Sequence, residues 1–113
     1  MLITIPAEVS HLVVKKSITV VKTTRAPILG LVENMAGYVC ERCGALGELF
    51  QGSRGEGLAA EFGIPFLGRI PFDPRLAAAG DRGVPFLVEH ADSLAGSALL
   101  EIAERVRASL NSA

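Results

Sequence analysis

The sequence lacks a surplus of either charge. It carries 11 Lys and Arg residues against 12 Asp and Glu residues, which gives a formal net charge of -1. Nucleic acids and anionic membranes are bound through basic surfaces. The charge balance therefore predicts neither a nucleic-acid partner nor an anionic-membrane partner.

Long apolar runs and an export signal are also missing. No apolar stretch reaches the ~18 residues that a membrane span needs. The N-terminus shows no basic region followed by an apolar run and a small-residue cleavage site, so no signal peptide is predicted. We therefore expect a cytoplasmic protein. Its two cysteines, Cys40 and Cys43, are then expected to be reduced thiols rather than a secreted disulfide framework.

No G-x-x-x-x-G-K-[ST] motif is present, so the chain has no phosphate-cradling loop of the Walker type. A Ser/His/Asp set with a surrounding motif is missing as well. The glycine-rich residues 52–57 precede a predicted helix, but the strand before them is poor and Glu56 carries the wrong charge for a phosphate. A flexible loop with a helix cap is favoured over a dinucleotide site there.

The composition that remains is typical of a packed globular protein, because half of the 113 residues are apolar and a fifth are charged. We expect one domain over residues 1–113. Strands are predicted at Leu2–Ile5, Ala26–Glu33 and Pro65–Ile70, with short extended pieces at Glu48–Phe50 and Phe86–Val88. Helices are predicted at Ala7–Thr24, Ser53–Phe62, Pro74–Ala79 and Leu94–Leu110.

This alternation predicts an α/β fold, a parallel sheet with flanking helices and right-handed crossovers. Three main strands make a thin sheet, so we expect further strands from another segment or subunit.

Periodicity and capping residues predict details of the helices. The first helix is expected to bury Val9, Leu12, Val13 and Val20. The last is expected to bury Leu99, Ile102, Ala103, Val106 and Leu110. The second helix is predicted to be capped by Ser53 with Glu56 and to end at Gly63. The third helix is predicted to be capped by Asp73 and to end at Gly80. The last helix is predicted to be capped by Asp92 or Ser93.

Cys40 and Cys43 form a Cys-x-x-Cys pair in the predicted loop at 36–47. Thiolates are soft ligands, and this spacing lets two sulfurs from one turn reach one metal. The pair is half of a tetrahedral site, and its simplest completion is a symmetry mate. A redox pair and two chemically unremarkable thiols remain open as alternatives. His11 and His90 lie far away in sequence and are expected to be surface or packing residues.

Polar residues follow two predicted strands directly. Asn34 ends one, and Pro71 and Asp73 come just after another. Ligands of open α/β sheets bind at this carboxyl edge, and an Asn amide can both donate to and accept from a purine. The simpler alternatives are a loop-starting residue for Asn34 and a helix N-cap for Asp73.

Taken together, these motifs resemble one family. The resemblance rests on Leu2–Val9, Pro27–Met35, Cys40-x-x-Cys43-Gly44, Gly63–Pro74 and Ala79–Asp81. In this succession the chain is similar to the C-terminal half of the Mrp-type (ApbC-like) iron–sulfur carrier ATPases, a branch of the MinD/ParA group of deviant P-loop NTPases. The resemblance implies the C-terminal half of a P-loop NTPase fold, with the phosphate-loop half absent.

The resemblance also implies a function. Members are homodimers that hold a labile [4Fe–4S] cluster between two Cys-x-x-Cys pairs and pass it to apo iron–sulfur proteins in a manner coupled to ATP. By position, Cys40 and Cys43 would hold the cluster. Asn34, Pro71 and Asp73 would contact adenine.

The missing phosphate loop limits what this chain can do with ATP. Without phosphate contacts we expect weak ATP binding and no ATPase activity from this chain alone. The leading hypothesis is a cluster-binding carrier module. The alternatives are a subunit of an ATPase completed by a separate phosphate-loop chain, and a structural zinc knuckle.

Overall fold

The computed structural model describes residues 1–40, 42–48 and 54–111. The chain alternates strands with helices through most of its length. The strands are β1 Leu2–Thr4, β2 Leu31–Glu33, β3 Tyr38–Val39, β4 Leu46–Gly47 and β5 Phe66–Arg69; the helices are α1 Glu8–Thr23, α2 Gly55–Phe62, α3 Pro74–Arg82, α4 Phe86–His90 and α5 Leu94–Asn111.

Among the described residues, β1, β2 and β5 form a parallel sheet in that order, and β3 pairs antiparallel with β4. The parallel α/β fold predicted from the alternation is thereby confirmed. The central strand β2 is buried at every position, as expected where helices cover both faces of a parallel sheet. Its carboxyl end points toward the same edge as the ends of β1 and β5.

The predicted strand at Ala26–Glu33 is realised only in its last three residues. Gly30, just before β2, has φ +155°, and a Cβ there would lie 2.7 Å from both Leu67 Cγ and the Pro65 carbonyl oxygen. Such a close approach requires glycine. The strand ladder therefore starts after Gly30, at Leu31, whose N–H donates to the Pro65 carbonyl.

Apolar residues pack in three clusters around the sheet and helices. One lies between β2, α1 and α2, a second between β2, β5 and α5, and a third among α3, α4 and α5. Their buried members are Val14, Ile18, Leu31, Leu58 and Ala59; Val32, Leu67 and Ile102; and Ala79, Phe86 and Ala95.

The predicted buried face of α1 is wrong. The four side chains expected inside are each more than half exposed, namely Val9, Leu12, Val13 and Val20. The helix instead buries His11, Val14 and Ile18. Both faces carry apolar residues, so periodicity alone did not decide which one meets the sheet.

The C-terminal third departs from the prediction in two places. Gly80 does not end α3, which continues to Arg82 and ends at Gly83 with φ +72°. Phe86–Val88 is not extended but lies in α4, where Phe86 is buried against α3 and α5. A short apolar run cannot be assigned to strand or helix by periodicity alone.

Three predicted helix ends are confirmed. Asp73 caps α3, Gly63 ends α2 in the left-handed conformation, and the Ser93 hydroxyl accepts from the Gly96 amide. Helix α5 buries Ile102, whereas Ala103 and Leu110 are exposed.

The start of α2 differs from the prediction. Arg54 occupies the N-cap position, without a side-chain cap. Ser53, and Leu49–Phe50 of the predicted returning strand, lie outside the described residues. No helix in the described ranges has the length and apolar character needed to cross a bilayer.

Candidate functional site

Cys40 and Cys43 lie at the tip of the β3–β4 hairpin, which pairs Tyr38 with Gly47 and Val39 with Leu46. The Cys40 N–H donates to the Ala45 carbonyl, and the Gly44 N–H donates to the Cys40 carbonyl, both at 2.9 Å. Gly44 has φ +72°, so a residue that adopts left-handed backbone easily stands directly after the second cysteine. The loop thus returns within a few residues.

The two cysteines of the hairpin tip differ in exposure. Cys43 is exposed, Cys40 is half-buried, and neither forms a disulfide. Within residues 1–40, 42–48 and 54–111, no group of three or more His, Cys, Asp or Glu side chains is placed to hold a metal ion. A four-ligand metal site at these two thiols would therefore have to be completed from outside the described part of the chain.

The hairpin is anchored to the sheet by an extension of β2 and β5. The Ala36 N–H donates to the Ile70 carbonyl at 3.0 Å, and the Val39 N–H donates to the Phe72 carbonyl at 2.9 Å. Tyr38 and Phe72 form a parallel bridge, and their rings stack with centroids 5.8 Å apart. The Cys-x-x-Cys loop is thereby connected to the residues that follow β5.

The predicted adenine-contacting residues come from one edge of the sheet. The Asn34 N–H donates to the Thr4 carbonyl at the end of β1, and the Ile70 N–H donates to the Glu33 carbonyl just before Asn34. Pro71 and Asp73 follow Ile70. The structure therefore brings Asn34, Pro71 and Asp73 to the carboxyl ends of adjacent strands. Among the described residues, the half-buried Asn34 amide makes no side-chain hydrogen bond.

Asp73 is already engaged within the chain. Its buried carboxylate accepts hydrogen bonds from the Arg75 amide at 3.0 Å and from the guanidinium of Arg75, the shortest at 2.6 Å. Hydrogen bonding from the Arg75 side chain holds the pKa of Asp73 below its usual value, although burial opposes the shift. Its observed role is the N-cap of α3, which was the simpler alternative.

Sequence reasoning missed Glu33, which is only 2 % exposed. Its Oε1 accepts a hydrogen bond of 2.6 Å from the Gly55 amide at the start of α2. Its Oε2 lies 3.0 Å from Arg69 Nε. The two groups form an ion pair, but their geometry does not meet the requirements of a hydrogen bond. One feature of the sequence could have identified Glu33: it is a single carboxylate at the end of an apolar strand, directly before Asn34.

A family model described as "ParA: NUBPL iron-transfer P-loop NTPase" matches residues 1–107. The chain belongs to this family. Within it, the sheet edge and the hairpin described above are parts of a P-loop NTPase fold.

Two curated relatives share more than two-fifths of the aligned residues. An iron-sulfur cluster carrier protein of Saccharolobus solfataricus is 44% identical over 105 residues, which is 93% of this chain and 36% of that protein. The cytosolic Fe-S cluster assembly factor NBP35 of Kluyveromyces lactis is 42% identical over 109 residues, 95% of this chain and 33% of that protein. The chain spans about a third of the length of these relatives.

Solved structures extend the comparison to the fold. The MinD cell division protein of Aquifex aeolicus superposes with a TM-score of 0.73 over 95% of this chain and 43% of its own, at 18% identity. A nucleotide-binding protein of Archaeoglobus fulgidus, solved in complex with ADP, gives a TM-score of 0.59 at 33% identity over 78% of this chain and 40% of its own.

Proposed function

We propose that this chain is an iron–sulfur cluster carrier module of the Mrp type. The observation that supports it best is the hairpin tip, which presents Cys40 and Cys43 together in a member of an iron-transfer family. The cluster is the cargo, and the two thiolates are its ligands from this chain. Relatives named as cluster carriers and assembly factors support the same role.

The cluster is bridged between two copies of the chain. Iron–sulfur clusters with four thiolate ligands are common, and the described residues supply two cysteines and no third ligand beside them. A two-fold axis through the hairpin tips would provide four thiolates, with the same two residues used twice. Because only two ligands come from each chain, the cargo stays exchangeable. The resemblance favours a [4Fe–4S] cluster.

A residual adenine-nucleotide site belongs to the proposal. Asn34, Pro71 and Asp73 form it, and the Asn34 amide can both donate to and accept from a purine edge. The structural relative solved with ADP supports nucleotide binding at this fold. ATP is held weakly by these contacts alone. ATP hydrolysis, the alternative function, requires a phosphate-loop half supplied by another chain or by the rest of a longer one.

The recipients of the cluster are apo iron–sulfur proteins, and the site of action is the cytoplasm. The name of the Kluyveromyces lactis relative, a cytosolic assembly factor, supports this location. Anaerobic reconstitution with iron and sulfide tests the proposal. Wild-type protein is expected to gain absorbance near ~400 nm, as thiolate-bound clusters do. Its iron content is expected to rise with the fraction of the protein that is dimeric.

The cysteine variants decide the outcome. Cys40→Ala and Cys43→Ala are each expected to lose the absorbance and to run as monomers in light scattering. Equal iron binding by wild type and the double variant would exclude the cluster. Zinc, rather than iron, in protein purified without oxygen would favour the zinc-knuckle alternative, because a closed thiolate site suits Zn²⁺.

A further inference from the structure

Beyond β2 and β5 the chain continues as a backbone pairing between residues 36–39 and 70–72, here called the hairpin pairing. The Phe72 N–H donates to the Gly37 carbonyl, and the Phe72 carbonyl accepts from the Val39 N–H. The aromatic stack of the site lies at the same position. The hairpin pairing therefore joins the cysteine hairpin to the segment that follows β5.

A bulge at Asn34 and Met35 directly precedes the hairpin pairing. The Ile70 N–H donates to the Glu33 carbonyl, and the Ile70 carbonyl accepts from the Ala36 N–H. These two partners are three positions apart instead of the two of regular parallel pairing, so one extra residue is inserted. Met35 has φ +53°, which is uncommon for a residue other than glycine. Bulges of this kind occur often beside functional sites, and this one contains the residue proposed to contact adenine.

Both proposed sites depend on the hairpin pairing. The adenine site takes Asn34 from one side of it, and Pro71 and Asp73 from the other. A base that contacts both sides binds better when they are paired than when they are apart. The thiol site depends on the same contact, because Cys40 directly follows Val39, the last residue bonded to the segment beyond β5. One structural element therefore serves two ligands.

The hairpin has the features of a unit that opens by itself. Its strands β3 and β4 have two residues each, and a two-stranded hairpin is marginally stable in water without further support. Segments held by few buried contacts open locally at a lower free energy than the whole domain. The hairpin pairing is therefore treated as a two-state element, which is either closed or open.

We propose that a base bound at the adenine edge slows the release of the metal cargo from Cys40 and Cys43, because both ligands require the closed hairpin pairing. The cargo leaves when the pairing opens, and a bound base lowers the open fraction by the factor 1 + [base]/Kd. Departure of the base then favours release. Phe72 is the positioning residue, since its backbone and its ring hold the pairing closed. This regulation presupposes the proposed function, which supplies the two ligands.

The probes are adenosine, which carries the base but no phosphate that would bind metal, and Zn²⁺, which thiolates bind well. ¹H–¹⁵N NMR of the Asn34 side-chain amide gives the Kd of adenosine for the full chain. At about three times this Kd, adenosine should slow Val39 amide exchange and zinc release to a chelator about fourfold. Exchange of the Thr24 amide at the end of α1 should not change.

The outcomes separate this regulation from the proposed function. Saturable shifts at Asn34 with unchanged zinc release and unchanged Val39 exchange overturn the regulation and leave the proposed nucleotide site intact. If Asn34 shows no saturable shift, the nucleotide site and the regulation are both wrong. If Zn²⁺ does not bind the thiols, the regulation is overturned together with the metal site.

Matched variants separate opening of the hairpin from unfolding of the whole chain. Phe72→Leu should accelerate zinc release by about 2–10-fold, because the ring stack is lost, and adenosine should still slow release by the wild-type factor. Phe72→Tyr keeps the ring and should release zinc at the wild-type rate. Ile18→Val weakens the cluster between β2, α1 and α2 and should leave zinc release unchanged. Equal acceleration by Phe72→Leu and Ile18→Val would show release through global unfolding and refute the role of the hairpin pairing.

Discussion

The Glu33 carboxylate and the Gly55 amide are joined by a buried hydrogen bond of 2.6 Å, across 22 residues of sequence. The bond places a negative charge at the N-terminus of α2, where the helix dipole stabilises it. It also supplies the cap that α2 lacks, since Arg54 at the N-cap position provides no side-chain acceptor. One side chain of the central strand thus fixes the start of a helix beside the proposed adenine edge.

Removing this carboxylate should destabilise the chain. Glu33→Ala leaves the Gly55 N–H without its acceptor and removes the buried one of the two carboxylates that pair with Arg69. We expect a loss of about 2–3 kcal/mol in the free energy of unfolding. Glu33→Gln keeps an acceptor for Gly55 and should cost less. Urea unfolding followed by circular dichroism measures both.

The matched control is Glu56→Gln. Glu56 also pairs with Arg69, at 3.1 Å, but its side chain is 67% exposed, and exposed ion pairs contribute little. The free energy of unfolding should change by less than ~0.5 kcal/mol. If Glu33→Ala is as mild as this control, the buried cap does not stabilise α2.

The contrast between Glu33 and Asn34 shows how far the sequence can be interpreted. The position of Asn34 at the carboxyl edge of the sheet was predictable because it follows a strand, and strand ends share an edge in a parallel sheet. The partner of Glu33 was not predictable, because no local pattern connects position 33 with position 55. The same limit applies to the Tyr38–Phe72 stack, which depends on how far β2 and β5 continue side by side.

Local ambiguity explains the remaining differences. Helix α1 carries Val or Leu on two faces, so the sequence predicts an amphipathic helix but not which stripe packs inside. The two-residue strands β3 and β4 are too short to show a period of two. The fold class and the helix caps at Asp73 and Gly63 were predictable, since they rest on element order and on single-residue chemistry.

Acid should destabilise the chain partly through Asp73. Its pKa is lowered in the folded protein, chiefly by hydrogen bonding from the Arg75 side chain. The stabilisation is therefore fully present above the usual carboxyl pKa of ~3.9 and is lost as the pH falls through the lower folded value. Urea midpoints measured from neutral pH to about pH 2 should fall more steeply for wild type than for Asp73→Asn.

Arg75→Met provides the complementary variant for this pH series. Removing the guanidinium should return the pKa of Asp73 toward its usual value, so the acid dependence should flatten as it does in Asp73→Asn. The two variants should then be nearly alike in slope, and the double variant should add little. If the urea midpoints of both variants depend on pH as steeply as that of wild type, the acid destabilisation does not come from the Asp73–Arg75 pair.

Two glycine-to-alanine substitutions should change stability in opposite directions. At Gly96 a Cβ would press on the His90 carbonyl and lie 2.9 Å from the Ala91 carbonyl oxygen, so Gly96→Ala should cost about 1–3 kcal/mol. At Gly80, inside α3, a Cβ meets nothing within 4 Å. Gly80→Ala should stabilise by up to ~1 kcal/mol, because alanine favours helix. Thermal and urea unfolding measure both, and the same sign at both positions would be incompatible with this packing.

The stacked rings of Tyr38 and Phe72 should limit local opening of the cysteine hairpin. Phe72→Leu keeps apolar volume but removes the stack, whose rings lie at 5.8 Å, and such pairs contribute about 0.5–1.5 kcal/mol. Exchange of the Val39 amide, which donates to the Phe72 carbonyl, should accelerate by about 2–10-fold. Hydrogen exchange followed by NMR measures it without any cluster. The Thr24 amide at the end of α1, which donates to the Val21 carbonyl, is the internal control. Its local opening leaves the rings in contact, so its exchange rate should not change. Unchanged exchange at Val39 would show that the hairpin opens independently of the rings.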